Sequence, residues 1–351
     1  MAKNKSVVIT GHTSPISYKI EDRDIPVPSP GTVVVKVLAA PLLDYFKNTL
    51  DGSLPYPNPV PYTPGGIAVA RVHSVGPDAV RLKEGDLVIV DYAVSARDDP
   101  SVQIVLGTFS GAGPACSILA GDAWRNGVHA QYAALPLENV FILDEDRLIG
   151  ELGYDVLDLH LIHTCMVPYG GLADAAVRAG DTVVVAPATG RFSGAAVLVA
   201  LTMGAKVVAL GRRQHALDEL VKSLGNPHGL RTATMVGNVE KDTATLAQAV
   251  GPRGADCVLD FSPPAAGAYG VTPSYLAASI NVLRRGGTLS LMGGIVGGVE
   301  IPYITVLFKN LIVRGRFVYE RHHAEQVIKL VESGKLRIGQ QVGMTTAASL
   351  V

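Results

Sequence analysis

Apolar residues fall into two regimes along the chain. From Ser6 to about Gly150 they form short β-branched runs such as "TVVVKVLAA", "IAVARVHSVG" and "DLVIVDYAV", separated by breaks rich in proline and glycine such as "PVPSPG", "PYPNPVPYTPGG" and "LKEGD". This pattern predicts a compact β-rich lobe with long loops. Asp98 to Asn126, with "GTFSGAGPACS" at its middle, shows no periodicity and predicts loop with short helix, a place for a substrate cover. After Glu151 the pattern alternates. Strands are predicted at Thr182–Pro187, Lys206–Leu210, Thr232–Val236, Cys257–Phe261 and Thr288–Met292, with helices such as Gln214–Leu224 and Ser274–Arg284 between them. Repeated strand–helix–strand units predict a parallel sheet covered on both faces. The tail reads as a strand, "NLIVRGRFVYE", and an amphipathic helix, "HHAEQVIKLVESGKL", whose Ala324, Val327, Ile328 and Val331 share a face.

Composition narrows the class. At 351 residues the chain is long for one core and comfortable for two. Hydrophobic residues at 48% and charged residues at 17% suit a sheet buried on both sides and argue against disorder. Thirty basic against 31 acidic residues give no basis for attraction to nucleic acid or an anionic membrane, so a small-molecule substrate is expected. Cys116, Cys165 and Cys257 are scattered without a C-x-x-C pair, against a disulfide framework or a structural zinc site. The N-terminal apolar run is too short for a signal segment, and the Gly194 to Leu210 tract breaks at Gly204 and Lys206. A cytoplasmic protein is the expectation.

One stretch carries chemistry. In "VVVAPATGRFSGAAVLVALTMGAKVVALGRR" a buried strand turns through Thr189, Gly190, Arg191, Phe192 and Ser193 into a small-residue helix. A pyrophosphate needs backbone N–H groups at a helix start and little bulk in the turn. Strict G-x-G-x-x-G is absent, so the strand-turn-helix context gives the motif its weight; an ordinary α/β turn is the alternative. At the end of the second strand, Gly211-Arg212-Arg213 stands where an NAD site usually has an acidic side chain for the ribose 2′-hydroxyl. Guanidinium groups pair with a 2′-phosphate, so NADPH is expected, against the alternative of two solvated surface charges. Phe261 and Gly293, at the ends of the fourth and fifth predicted strands, complete the cofactor-binding candidates.

The chain resembles the medium-chain dehydrogenase/reductase superfamily over nearly its whole length. The likeness rests on "VPSPGTVVVKVLAAP", the "PGG-x5-V-x-SVG" segment from Pro64 to Gly76, "LKEGDLVIV", the dinucleotide stretch and the closing "AEQVIKLVESGKL". It implies an α/β fold: a GroES-like β-rich catalytic lobe from 1–155, completed by 306–351, and a Rossmann doubly wound parallel sheet over 156–305. Zinc members carry a cysteine after "A-A-G-[IV]", a histidine in "G-H-E" and a third ligand further on. Here Leu43 stands at the cysteine position, Gly66 and Ile67 at the His-Glu pair, and His163 near the third. One imidazole does not make a site that needs about three protein ligands. The four-cysteine structural lobe is also missing, so no metal is expected and the chain is similar to the zinc-independent quinone and enoyl reductases.

A conjugated acceptor suits such a site, because charge that a Lewis acid would otherwise meet is spread over several atoms. The expectation is an NADPH-dependent reductase acting on an enone, enoyl C=C or quinone, some relatives serving secondary metabolism. Metal-free carbonyl reduction or alcohol oxidation, and a dinucleotide-binding protein without catalysis, remain the alternatives. Tyr45 stands two residues after Leu43, where zinc enzymes carry a proton-relaying hydroxyl, and is the candidate proton donor; packing in the cleft wall is the other reading. His163 is a second catalytic candidate or a satisfied helix histidine. Tyr62 and Trp124 are candidates for an aromatic substrate pocket or for packing alone, and Asp44 reads as structural. The apolar "IPYITVLFKNLIVRGRFV" predicts a homodimer through the Rossmann domain.

Overall fold

The computed structural model describes residues 3–43, 45–54, 56 and 58–339; Asp44 and the tail from 340 onward lie outside the described residues. These residues form two compact units, 3–163 and 164–339.

The first unit is β-rich, as the short β-branched runs predict. Its strands are β1 (Lys3–Gly11), β2 (Ser17–Asp24), β3 (Thr32–Ala39), β4 (Ala68–Val75), β5 (Leu87–Val90), β6 (Ala93–Ser95), β7 (Gln103–Val105), β8 (Tyr132–Pro136) and β9 (Val140–Ile142). An antiparallel sheet runs β8-β3-β4-β5-β9, flanked by the hairpins β1-β2 and β6-β7. Val33, Val34 and Val35 are all buried, as are all four residues of β5, so these strands pack on both faces. Short helices α1 (Phe46–Leu50) and α2 (Pro114–Ile118) sit in the long loops.

The segment from Thr63 to Gly66 is laced to its neighbours by backbone. Gly127 donates to Thr63 O at 2.7 Å, Val128 to Gly65 O at 2.8 Å and His129 to Pro64 O at 2.9 Å, while Gly65 donates to Gly107 O at 3.1 Å. Such close approach needs bare backbone. A methyl group on Gly127 would collide with Gly65 O, and one on Gly107 would lie 2.6 Å from the same oxygen. Gly65 and Gly107 also hold φ of +87° and +59°, a region that L side chains disfavour.

The second unit carries six parallel strands in the order β12-β11-β10-β13-β14-β15. They are β10 (Thr182–Ala186), β11 (Lys206–Gly211), β12 (Leu230–Thr234), β13 (Ala255–Asp260), β14 (Leu283–Leu291) and β15 (Ile312–Gly315). Its helices are α3 (Leu161–Asp174), whose first turn belongs to the first unit, then α4 (Arg191–Thr202), α5 (Gln214–Ser223), α6 (Val239–Val250), α7 (Ser274–Asn281), α8 (Tyr303–Lys309) and α9 (Arg321–Glu332). Val184, Val208, Leu210, Val258 and Leu289 pack with Leu246, Leu276 and Ile280 in one apolar cluster. Its chain order reverses beside β10, giving the doubly wound sheet that the alternating pattern predicts.

Two expectations shift. The third strand of this sheet runs Leu230–Thr234 and not Thr232–Val236. Val236 is 68% exposed, and its N–H is taken by the Asp242 carboxylate at 2.7 Å, so the chain has already left the sheet. Residues 306–339, expected with the first lobe, stay with the second unit. Strand β15 is hydrogen-bonded to β14, and the His323 ring of α9 meets Tyr169 of α3 at 5.9 Å between centroids. The apolar face of α9 is as expected, with Ala324, Val327, Ile328 and Val331 all buried.

Gly127→Ala is expected to destabilise the first unit by about 3 kcal/mol, the upper range for overpacking. A Gly150→Ala control, where a methyl group meets nothing within 4 Å, should leave stability unchanged. Urea unfolding followed on both variants checks this, and equal midpoints would contradict the crossing as the constraint.

Candidate active site

In the second unit β10 ends at Ala186 and the chain turns through Thr189 and Gly190, both exposed, into α4. Gly190 has φ −92° and ψ 170°, extended backbone open to any residue, so conformation does not require glycine there. Its contribution is an uncovered turn, where an added methyl group would meet only Ser193 Oγ, at 3.2 Å. Ser193 Oγ accepts the Gly190 N–H at 2.9 Å and donates to Gly190 O at 3.2 Å. That N–H is therefore engaged by the protein. The first-turn N–H groups of α4, at Arg191, Phe192 and Ser193, are beyond the reach of any carbonyl within the helix and are suited to an anion.

Strand β11 ends at Gly211, whose carbonyl accepts from Met235 N at 2.9 Å and whose missing side chain makes room for Leu217, 3.0 Å from an added methyl group. Arg212 and Arg213 follow, both exposed and neither in an ion pair with a described residue. On the other side of β10, Phe261 N donates to Ala186 O at 2.8 Å, and Gly293 packs with its Cα against Ser262, where a methyl group would lie 2.7 Å from Ser262 N. The cofactor candidates thus come together at the carboxyl ends of β10, β11, β13 and β14. This is the edge where open parallel sheets take their ligands.

Sequence reasoning missed a buried polar chain there. Asp260, at the end of β13, accepts from Ser262 N at 3.1 Å and from Ser262 Oγ, and Tyr275 donates to Ser262 Oγ at 2.7 Å. Burial raises the Asp260 carboxyl above its ordinary value, against hydrogen bonds from Ser262 and Gly293 that pull it down. The available signal was an acidic residue closing the apolar run "CVLD".

In the first unit, Tyr45 is half-buried at the start of α1, where its carbonyl accepts from Thr49 N at 3.1 Å. His163 is 0% exposed, and its ring stands edge-on to Tyr92 at 4.3 Å between centroids and 89° between planes. Tyr92, which sequence reasoning did not single out, thus packs against one catalytic candidate, and Tyr45 is among the groups that raise its phenol after burial. No spacing rule connects position 92 to 45 and 163. Tyr62 is wholly enclosed at 0% exposure, bridged to Ile9 by backbone hydrogen bonds, and burial pushes its phenol up to about 12. It belongs to the core and lines no open pocket. Trp124 is half-buried after the turn at 119–123 and makes no ring contact with Tyr62 among the described residues.

The positions that would hold a catalytic zinc do not fit one. Leu43 is a buried hydrocarbon. A methyl group on Gly66 would collide with Leu106 O and lie 2.5 Å from Tyr92 Cβ, so no ligating side chain fits there without displacing its neighbours. Among the described residues no group of three or more His, Cys, Asp or Glu could hold a metal ion.

Comparison with known proteins places this geometry in a class. Residues 29–145 match the alcohol dehydrogenase GroES-like domain, and residues 193–333 match the zinc-binding dehydrogenase family. An alcohol dehydrogenase of Rhizobium meliloti is 26% identical over 337 residues, covering 90% of this chain and 85% of that protein. A quinone oxidoreductase of Sus scrofa is 23% identical over 324 residues, covering 89% and 80%. The structure of a short chain alcohol dehydrogenase from Escherichia coli CFT073 in complex with NADH superposes with a TM-score of 0.73 at 18% identity, over 96% of this chain and 90% of that one. Together, fold and matches define an oxidoreductase of a dinucleotide-dependent dehydrogenase class. The chain belongs to the medium-chain dehydrogenase/reductase superfamily.

His129 lies against this site, its ring 5.2 Å from that of Phe46 and packed where Gly65 has no side chain. Burial lowers its imidazole from 6.5 to about 4, against a hydrogen bond to the Pro41 backbone that raises it. An unfolded chain therefore takes up this proton first as pH falls. His129 contributes stability that is complete above about pH 6.5 and is lost as pH drops toward about 4. His129→Gln should flatten that part of the stability curve relative to the native protein; parallel curves measured by denaturant titration between those limits would contradict it.

Proposed function

We propose that this protein is an NADPH-dependent, zinc-independent reductase that transfers hydride to a conjugated acceptor, an enone, enoyl C=C or quinone. The observation that carries the reading is the walled position 66: a site whose ligand position admits no side chain must meet developing charge by other means. A conjugated acceptor spreads that charge over several atoms, and phenolic donors at Tyr45 and its neighbours suffice to hold its oxygen. The pig quinone oxidoreductase among the relatives supports this branch. The relatives named alcohol dehydrogenases support a second reading, metal-free carbonyl reduction at the same residues, for which Tyr45 is the required proton donor.

When bound, NADPH supplies the hydride from C4 of its nicotinamide. The first-turn N–H groups of α4 hold its diphosphate, and Arg212 and Arg213, which have no ion-pair partner among the described residues, pair with the 2′-phosphate. The Asp260, Ser262 and Tyr275 chain fixes the loop beyond β13 against Gly293. A homodimer through this unit completes the proposal. Strand β15 ends the sheet with all four residues exposed, and α8 adds exposed Tyr303, Leu307 and Phe308, an apolar edge that a second copy would cover. No helix among the described residues is long and apolar enough to cross a membrane, which is compatible with the expected cytoplasmic location.

Deuteride from C4-labelled NADPH should appear on the β-carbon of an enal or enone, or on a quinone product, with chelator present. Label on a carbinol carbon would favour the second reading, and NADPH bound but never consumed would leave a binding protein without catalysis. Replacing Arg212 and Arg213 by Gln should weaken NADPH about 10- to 100-fold, the scale of charge-assisted hydrogen bonds, and change NADH binding by less than about twofold. Equal losses for both nucleotides, read by fluorescence titration, would contradict 2′-phosphate recognition. Light scattering should give a dimer for the native chain and a monomer for Val313→Lys; a native monomer removes the dimer.

A further inference from the structure

We propose that the Tyr92 hydroxyl, on the residue whose Cβ walls position 66, is a catalytic hydrogen-bond donor to the carbonyl oxygen of the acceptor; this rests on the reductase reading above and assigns the residue that holds that oxygen. Tyr92 lies in the bend between β5 and β6. Its carbonyl accepts from Val94 N at 3.1 Å and Leu106 N at 2.8 Å, which fixes the backbone. Its Cβ closes off position 66, and its ring is locked edge-on against the fully buried His163.

The placement leaves one polar atom unaccounted for. Tyr92 is 5% exposed, yet its hydroxyl makes no hydrogen bond with a described residue, whereas a buried phenol ordinarily finds a partner. Tyr275 meets that rule through Ser262, 2.7 Å away. Unlike the oxygen of Tyr62, that of Tyr92 is not fully sealed, so it keeps some accessible surface. A donor held rigidly, nearly buried and without an acceptor among the described residues is suited to a ligand's oxygen. Burial, and after it the neighbouring Tyr45, Asp91 and Tyr56, hold the phenol well above its ordinary value, so it keeps its proton at every working pH.

Hydride adds to the β-carbon of the acceptor, the C=C electron pair moves to form the enolate, and its charge develops on the oxygen that Tyr92 holds. Tyr92 transfers no proton; the α-carbon takes one from water when the enolate collapses. An alkene without a conjugated carbonyl offers nothing for this donor.

The test uses the full chain with NADP⁺ and ¹³C-carbonyl-labelled enal, cyclic enone and quinone, read by infrared difference spectroscopy on the native protein and Tyr92→Phe. The carbonyl stretch of at least one probe should move to lower frequency on the native protein and return toward its free value on the variant. Turnover with that acceptor should fall about 10²-fold in kcat, with NADPH affinity and melting temperature unchanged. A stretch that does not move on the native protein, or that moves equally on Tyr92→Phe, overturns the proposal, as does a variant that turns over within twofold of native. If the native protein transfers no hydride while its probe shift depends on Tyr92, the reductase reading fails and the donor stands.

Discussion

The chemistry of the first unit depends on a crossing of bare backbone. Gly65, Gly107 and Gly127 approach so closely that none has room for a methyl group, and the hydrogen bonds from Gly127, Val128 and His129 pin the Thr63–Gly66 segment in place. Gly66 is then pressed against Leu106 and Tyr92, and its position can carry no donor of any kind. Tyr92, held against that segment, stands edge-on to His163, and His129 packs where Gly65 has no side chain. Interiors are dense enough that filling one side of a contact decides what stands on the other.

The second unit works through a different constraint, the termination of parallel strands on one edge. Strands β10, β11 and β13 end within reach of the turn into α4, so backbone N–H groups, two arginines and the Asp260 chain gather there without contact along the sequence. Ser193 adds a local departure: its hydroxyl occupies the Gly190 N–H, so the amino end of α4 offers one backbone donor fewer than a glycine at that position would leave it.

Much of this was legible in the chain itself. Period and punctuation marked the β-rich lobe, the first five strands of the parallel sheet in chain order, the third of them offset by two residues, and the apolar face of α9, because each depends on residues close in sequence. The turn at Thr189 to Ser193 and the Gly211-Arg212-Arg213 ending could be read for the same reason. What escaped is long-range. The burial of Tyr62 against Ile9, the lock between Tyr92 and His163, and the retention of residues 306–339 by the second sheet come from contacts that no spacing announces. The third strand was misplaced because Met235 and Val236 are apolar, while Asp242 had already claimed the Val236 N–H.

The walled position 66 also bears on how such a chain can change over evolutionary time. A histidine placed there by one substitution would clash with Leu106 and Tyr92 before it met any metal, and its partner position, Leu43, would still be hydrocarbon. Building a three-donor centre would require movement of the Leu106 backbone, displacement of Tyr92 Cβ and a new donor at 43, each costly before the others are in place. The packing therefore couples the three positions: no single substitution among them makes a metal centre, because each needs the others to change first.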